Sequence, residues 1–218
     1  MFINQSSQKM NMGLIWIHCL KDILNYGKWV TDENVSLLEL KNYYVTISTV
    51  DEEDEILQKY ANKERIALMK EKYTSCSVLP GYKLSYGKLL FDNKGINQIE
   101  WVINKLKIKP ETKSATIVMH TPGEKELSCL SLLDFKLRDN QLDITVVYRS
   151  QNVFASQPGN FIILERIFTY VANQLNVKLG VIEGVILSAH IYEQDIKLVE
   201  ALLEDYDTSH LGGKSEKI

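Results

Sequence analysis

The sequence predicts an α+β protein, a mixed sheet packed on a long buried helix, and three observations carry that reading. First, runs rich in β-branched and aromatic residues (NYYVTISTV, LSLLDFKL, LDITVVY, GVILSAHIY) recur without the regular strand–helix alternation of a parallel α/β fold. Second, Phe161–Leu175 is apolar on most sides, through Ile163, Leu164, Ile167, Phe168 and Val171, as a helix covered by a sheet must be. Third, 218 residues at 45% hydrophobic suffice for a sizeable core, and no repeat or Pro/Ser-rich linker divides them. One domain is expected over residues 1–210, with a disordered tail over 211–218.

The elements follow in order. Met12–Tyr26 reads as a helix, with Leu14, Ile17, Leu20, Ile23 and Leu24 on one face and Gly27 as its stop. Asn42–Val50 is a strand. The charged segment Asp51–Lys72 reads as a solvated helix face and is given no function, and Gly81–Gly87 reads as a loop. Asn97–Leu106 is a second helix, with Ile96, Ile99, Ile103 and Leu106 inward. Ala115–His120 is a strand ended by a Pro122-Gly123 turn. Cys129–Leu137 and Leu142–Tyr148 form a hairpin across the polar turn Arg138–Gln141. Pro158-Gly159 reads as a turn before the buried helix, Val185–Tyr192 as the last strand, and Gln194–Asp205 as a surface helix.

Composition excludes several function classes. A net charge of -3 gives no basic footprint, which argues against nucleic acid as a partner. Three cysteines, Cys19, Cys76 and Cys129, are scattered without a CxxC, which argues against a disulfide framework and against a zinc site. The longest apolar stretches are about nine residues, too short for a membrane span. The first residues lack the basic start and apolar run of a secretory signal. A cytoplasmic protein with reduced thiols and no membrane partner is expected.

Chemistry is concentrated in the second half. Cys129 offers a nucleophile, Arg149-Ser150 a bidentate cation with an adjacent hydroxyl, Asn160 an amide, and His190 with Tyr192 an imidazole–phenol pair on one strand face. Taken singly, each has a structural reading: a small buried thiol, an ion-paired arginine beside a capping serine, a helix cap at Asn160, a core histidine beside an interfacial tyrosine. Taken together, they can hold a nucleotide by phosphate, base edge and sugar while sulfur attacks the ring.

This order of motifs, Cys129, then a hairpin, Arg149-Ser150, Pro158-x-Asn160, a long apolar helix and His190-x-Tyr192, resembles the thymidylate synthases and their pyrimidine nucleotide hydroxymethylase relatives. The upstream run SYGKLLFDNKGINQIEWVINKL resembles the Tyr-Gly…Asp-Gln-Ile stretch of the same family and sets its active-site tyrosine on Tyr86. The resemblance covers about Ser85–Asp195. It implies a thymidylate-synthase-like fold, a homodimer through the sheets, a pyrimidine nucleotide monophosphate as substrate and 5,10-methylenetetrahydrofolate as co-substrate. It further implies Cys129, Tyr86 and Asn160 as catalytic. Arg149, Ser150, Asn160, His190, Tyr192 and, across the dimer, Lys113 would bind substrate, and Asn152 would face the folate.

Several positions depart from the family pattern. Leu130 follows the cysteine where the family has His, Asp134 stands for a Gln, Asn152 for the acidic residue that meets the pterin, and Lys113-Ser114 for an arginine pair. The tryptophan-bearing helix and the closing C-terminal segment have no counterpart. The function implied is one-carbon transfer, methylation or hydroxymethylation, to C5 of a uridylate-type nucleotide through a Cys129 adduct. The alternatives are altered chemistry in modified-nucleotide or antibiotic biosynthesis, and an inactive nucleotide-binding homologue.

Overall fold

The computed structural model describes residues 10–120, 123 and 125–211. Pro122 of the expected turn and the expected tail after Leu211 lie outside the described residues. The chain opens with α1 (Met12–Tyr26), β1 (Lys28–Asp32), β2 (Val35–Ile47), α2 (Glu55–Tyr60) and α3 (Lys63–Thr74). It continues with α4 (Tyr86–Phe91), α5 (Gln98–Ile108), β3 (Thr116–Val118), β4 (Leu130–Arg138), β5 (Gln141–Tyr148) and the two-residue β6 (Gln151–Asn152). It closes with α6 (Val153–Leu175), β7 (Lys178–Tyr192) and α7 (Ile196–Leu211). No helix among the described residues is long and apolar enough to cross a membrane.

One mixed sheet organises these elements, in the order β1-β2-β7-β5-β4-β3 with β6 beside β7. β7 runs parallel to β5 and β6, and the other pairs are antiparallel. Helix α6 is therefore the crossover a parallel pair requires, and it covers one sheet face. Phe161, Leu164, Phe168 and Val171 of α6 are fully buried, and Phe168 packs edge-on against Phe135 of β4 at 5.7 Å. α1 joins the same core through Trp16, whose indole N–H donates to the Val153 carbonyl at 2.9 Å. The hairpin between β4 and β5 turns on Asp139 and Asn140, both at positive φ, the conformation that a two-residue turn between twisted strands demands.

Four expectations need correction. Asp51–Lys72 is not one solvated helix: the chain breaks at Ala61-Asn62, Asp54 and Asn62 cap α2 and α3 separately, and Met69 and Tyr73 are buried. Nor does Pro158-Gly159 make a turn. The buried helix begins at Val153, capped by the Asn152 side chain, and runs through Pro158. Proline forfeits an N–H and crowds the preceding turn, a cost of about 3 kcal/mol in a helix interior, so packing has to hold this segment helical. Gly159 supplies part of it: a Cβ there would lie 2.9 Å from Met69 Cβ and 3.0 Å from Ile66 Cα, so α3 rests directly on α6. Tyr86-Gly87, expected in a loop, begins α4, and Ile96, expected inward, is exposed because it precedes the Asn97 cap of α5.

Candidate active site

Parallel β5 and β7 end at the same edge of the sheet, β4 begins there, and the polar residues singled out in the sequence collect at that edge. The register sets Tyr148 beside Leu130 on one side and Ile186 on the other. One residue further, the Arg149 N–H donates to the Cys129 carbonyl at 2.8 Å. β6 then pairs Gln151 with Ala189 and Asn152 with His190, which carries the chain from Arg149-Ser150 alongside the last residues of β7 and into α6.

Cys129 is half-buried at the head of β4, and its N–H donates to the Tyr86 hydroxyl at 3.0 Å. Tyr86 stands in the first turn of α4 because Ser85 caps that helix, its Oγ accepting from Lys88 N at 2.9 Å. The Arg149 guanidinium lies along the strand entry, donating Nε to Ser128 O at 3.1 Å and Nη2 to Leu127 O at 2.9 Å. Ser150 follows, half-buried. On β7, His190 is buried and stacks edge-on against Tyr192, ring centroids 5.1 Å apart. Burial lowers His190 from its ordinary value against the opposing pull of the Ser188 carbonyl and of Glu39 and Asp32. The ring is therefore neutral at pH 7.

The buried polar atoms left without a hydrogen-bond partner among the described residues include Asn160 Oδ1, His190 Nε2, Arg65 Nε and Tyr82 Oη. Each such atom costs on the order of 1–3 kcal/mol unless something else satisfies it. Two of the four belong to residues the sequence assigns to a nucleotide. A ligand at this edge is the natural partner for both.

The other two mark what the sequence reading missed. Arg65 and Lys72 lie two helical turns apart on α3, flanking the buried stripe of Met69 and Tyr73. The Lys72 ammonium sits 4.0 Å from the Tyr86 ring centroid and 4.4 Å from that of Tyr82. Behind Cys129 lies a cluster of phenols: Tyr73 and Tyr148 share a hydrogen bond of 2.8 Å, and Tyr73 packs edge-on to Tyr86 at 4.9 Å. Burial, first among the causes, pushes all three hydroxyls above the usual tyrosine range. They stay protonated. The signal for α3 was present in ERIALMKEKY, where Ile66, Met69 and Tyr73 keep helical spacing amid the charge.

Asn152 lies beside His190 in register, whereas Lys113 stands elsewhere. The Asn152 side-chain oxygen accepts from Ala155 N at 2.9 Å to cap α6, which leaves its NH2 as the edge it can offer a cofactor. Lys113 is exposed before β3, and its carbonyl accepts from Lys136 Nζ at 3.4 Å, near the far end of β4. Within one chain it does not join the Cys129 cluster. Of the other thiols, Cys76 is exposed, whereas Cys19 is fully buried in α1 and pushed up to about 12 by that burial.

Comparison with known proteins gives the family. The family model described as thymidylate synthase matches residues 14–211, well beyond the Ser85–Asp195 stretch legible by motif. A protein of Methanosarcina mazei provisionally named thymidylate synthase is 32% identical over 89% of this chain and 92% of its own length. One from Methanosarcina acetivorans with the same provisional name is likewise 32% identical, over 89% and 92%. The thymidylate synthase of Mycoplasma pneumoniae is 30% identical over 54% of this chain and 42% of its own.

Proposed function

From the premise that this chain belongs to the thymidylate synthase family, an enzyme family of folate-dependent transfer to pyrimidine C5, we propose that it transfers a one-carbon unit to C5 of a uridylate-type nucleotide through a Cys129 adduct. The observation that carries the reading is the meeting of Cys129, Arg149 and His190 at one sheet edge, with Asn160 Oδ1 and His190 Nε2 buried and without a partner among the described residues.

Each residue then has a physical task. The Cys129 thiolate adds to C6, making C5 nucleophilic and splitting one hard step into two easier ones. Asn160 meets the uracil edge, which presents both a donor and an acceptor, as its amide does. Tyr86, its hydroxyl already at the Cys129 N–H, exchanges the C5 proton through a bound water. Two Arg149 nitrogens are anchored on carbonyls, which leaves the guanidinium edge that faces away from them, with the Ser150 hydroxyl, for the phosphate. Neutral His190 and Tyr192 receive the sugar hydroxyls. Methylenetetrahydrofolate supplies the electrophilic carbon at the methylene level. Asn152 fits it in part, since its free NH2 complements the carbonyl side of a pterin better than the N–H side. A site without the family's tryptophan-bearing helix admits water, which favours a hydroxymethyl product over a methyl one.

The sheet face opposite α6 supports a homodimer. Val118, Leu132, Val147, Val185 and Tyr44 are neighbours in register across β3, β4, β5, β7 and β2, forming one apolar row. Val118 is 51% and Tyr44 58% exposed in the single chain. Burying such a row needs a second layer, and a two-fold copy of the same face provides one. Lys113 would then serve the partner's phosphate.

The test is a mass-spectrometric screen of UMP, dUMP, CMP and dCMP, each with methylenetetrahydrofolate. The expected result is a hydroxymethyl or methyl increment on a uracil nucleotide. An increment on none of the four would overturn the reading.

A further inference from the structure

Lys72 is a cation to which the described residues supply no carboxylate partner. It takes part in none of the ion pairs among the described residues, yet it is half-buried and burial pushes it down to about 8. The groups facing it are Arg65 on α3 itself, Tyr82 ahead of α4, Tyr86 on α4 and Cys129 at the head of β4. Arg65 repels it. The two phenols offer it their ring faces. Among the described groups that face it, Cys129 is the nucleophile, whose reactive form is the thiolate. Tyr86 links the two residues: its ring face holds the ammonium at 4.0 Å while its hydroxyl takes the Cys129 N–H at 3.0 Å. Arg149, a second cation at the head of β4, directs two of its nitrogens to carbonyls instead.

We propose that Lys72 is the counter-cation of the Cys129 thiolate, a positioning residue that holds the sulfur ionised before any nucleotide arrives. The inference rests on Cys129 being the nucleophile of the proposed function. The step balances simply: the thiol proton leaves to solvent and Lys72 keeps its own. As the carbon–sulfur bond forms, the negative charge passes from sulfur into the pyrimidine ring, and it returns to sulfur when the adduct breaks down.

The test reads the thiol directly, without nucleotide or folate, in a Cys76→Ala background where Cys129 is the accessible cysteine. Alkylation by neutral iodoacetamide at pH 7 is expected to slow about tenfold or more in Lys72→Met, because fewer sulfurs are ionised, and to recover to within about threefold in Lys72→Arg. Equal rates in the background protein and Lys72→Met would overturn the proposal. Should Lys72→Met not fold, the background protein still decides: the ratio of iodoacetate to iodoacetamide rates is expected to exceed that of free glutathione, since an adjacent ammonium draws the anionic reagent. A ratio at or below glutathione's counts against the pairing. A Lys72-dependent thiol in a protein that transfers no carbon would refute the proposed function and leave the ion pair standing.

Discussion

At the scale of single residues, the site is a set of groups that the chain leaves incomplete. Arg149 is the clearest case for binding: two of its nitrogens are fixed on the carbonyls of Leu127 and Ser128, so the rest of the guanidinium is held in place for an anion. Arg149→Ala is expected to weaken nucleotide monophosphate binding by about 1.5–3 kcal/mol while leaving nucleoside affinity unchanged, as titration calorimetry would measure. Equal losses for both would remove the phosphate role. His190 makes a prediction about pH. Burial depresses its folded-state value below the ordinary 6.5, so the unfolded chain binds the proton more readily. Its contribution to stability is therefore complete above pH 6.5 and lost as the pH falls from there toward the depressed value. Denaturant melts across that window should decline in the parent and flatten in His190→Asn; parallel curves would contradict the assignment.

At the scale of elements, what the sequence made legible depended on whether a signal was local. The hairpin from Leu130 to Tyr148 could be read because alternation and a polar turn lie within a few residues of each other. The start of α6 could not, because Pro158 and Gly159 are turn formers by local chemistry and only the close approach of α3 explains a glycine inside a helix there. Likewise, nothing within Asp51–Lys72 distinguishes Lys72 from a solvated lysine; its setting is made by Tyr82 and Tyr86, which arrive from a later segment. The Cys129 thiol, the Arg-Ser pair and the His-x-Tyr strand could be singled out because their spacing follows the chain. Lys113, by contrast, is placed by one chain far from the site that the motif pattern gives it. The α3–α6 contact is testable: Gly159→Ala should destabilise by about 1–3 kcal/mol through overpacking and lower nucleotide affinity by displacing neighbouring Asn160. An unchanged melting temperature would show that α3 yields freely.

For the whole molecule, two rows on the open sheet face differ in kind. The apolar row through Val147 lies beside a polar one, Thr116, Asp134, Thr145, Glu183 and Thr46, in the neighbouring register. In the polar row Thr116 donates to Asp134 at 2.6 Å and Thr145 to Glu183 at 3.3 Å, so its side chains already satisfy one another. The apolar row has no such internal remedy, and a two-fold partner is expected over it. Val147→Asp, at the centre of that row, should convert a dimer to a monomer in sedimentation velocity and abolish turnover if Lys113 acts across the interface. A parent chain that sediments as a monomer at micromolar concentration would contradict the dimer.

Covalent addition of sulfur to C6 is the claim on which the mechanism depends, and hydrogen exchange at C5 reports it without requiring the later transfer. With a uracil nucleotide labelled with tritium at C5, the parent protein should release label to water. Cys129→Ser should release none while binding the nucleotide within about tenfold of the parent, because a hydroxyl of nearly the same size is not ionised near neutral pH. Release of label by Cys129→Ser at a rate comparable to the parent would contradict the account.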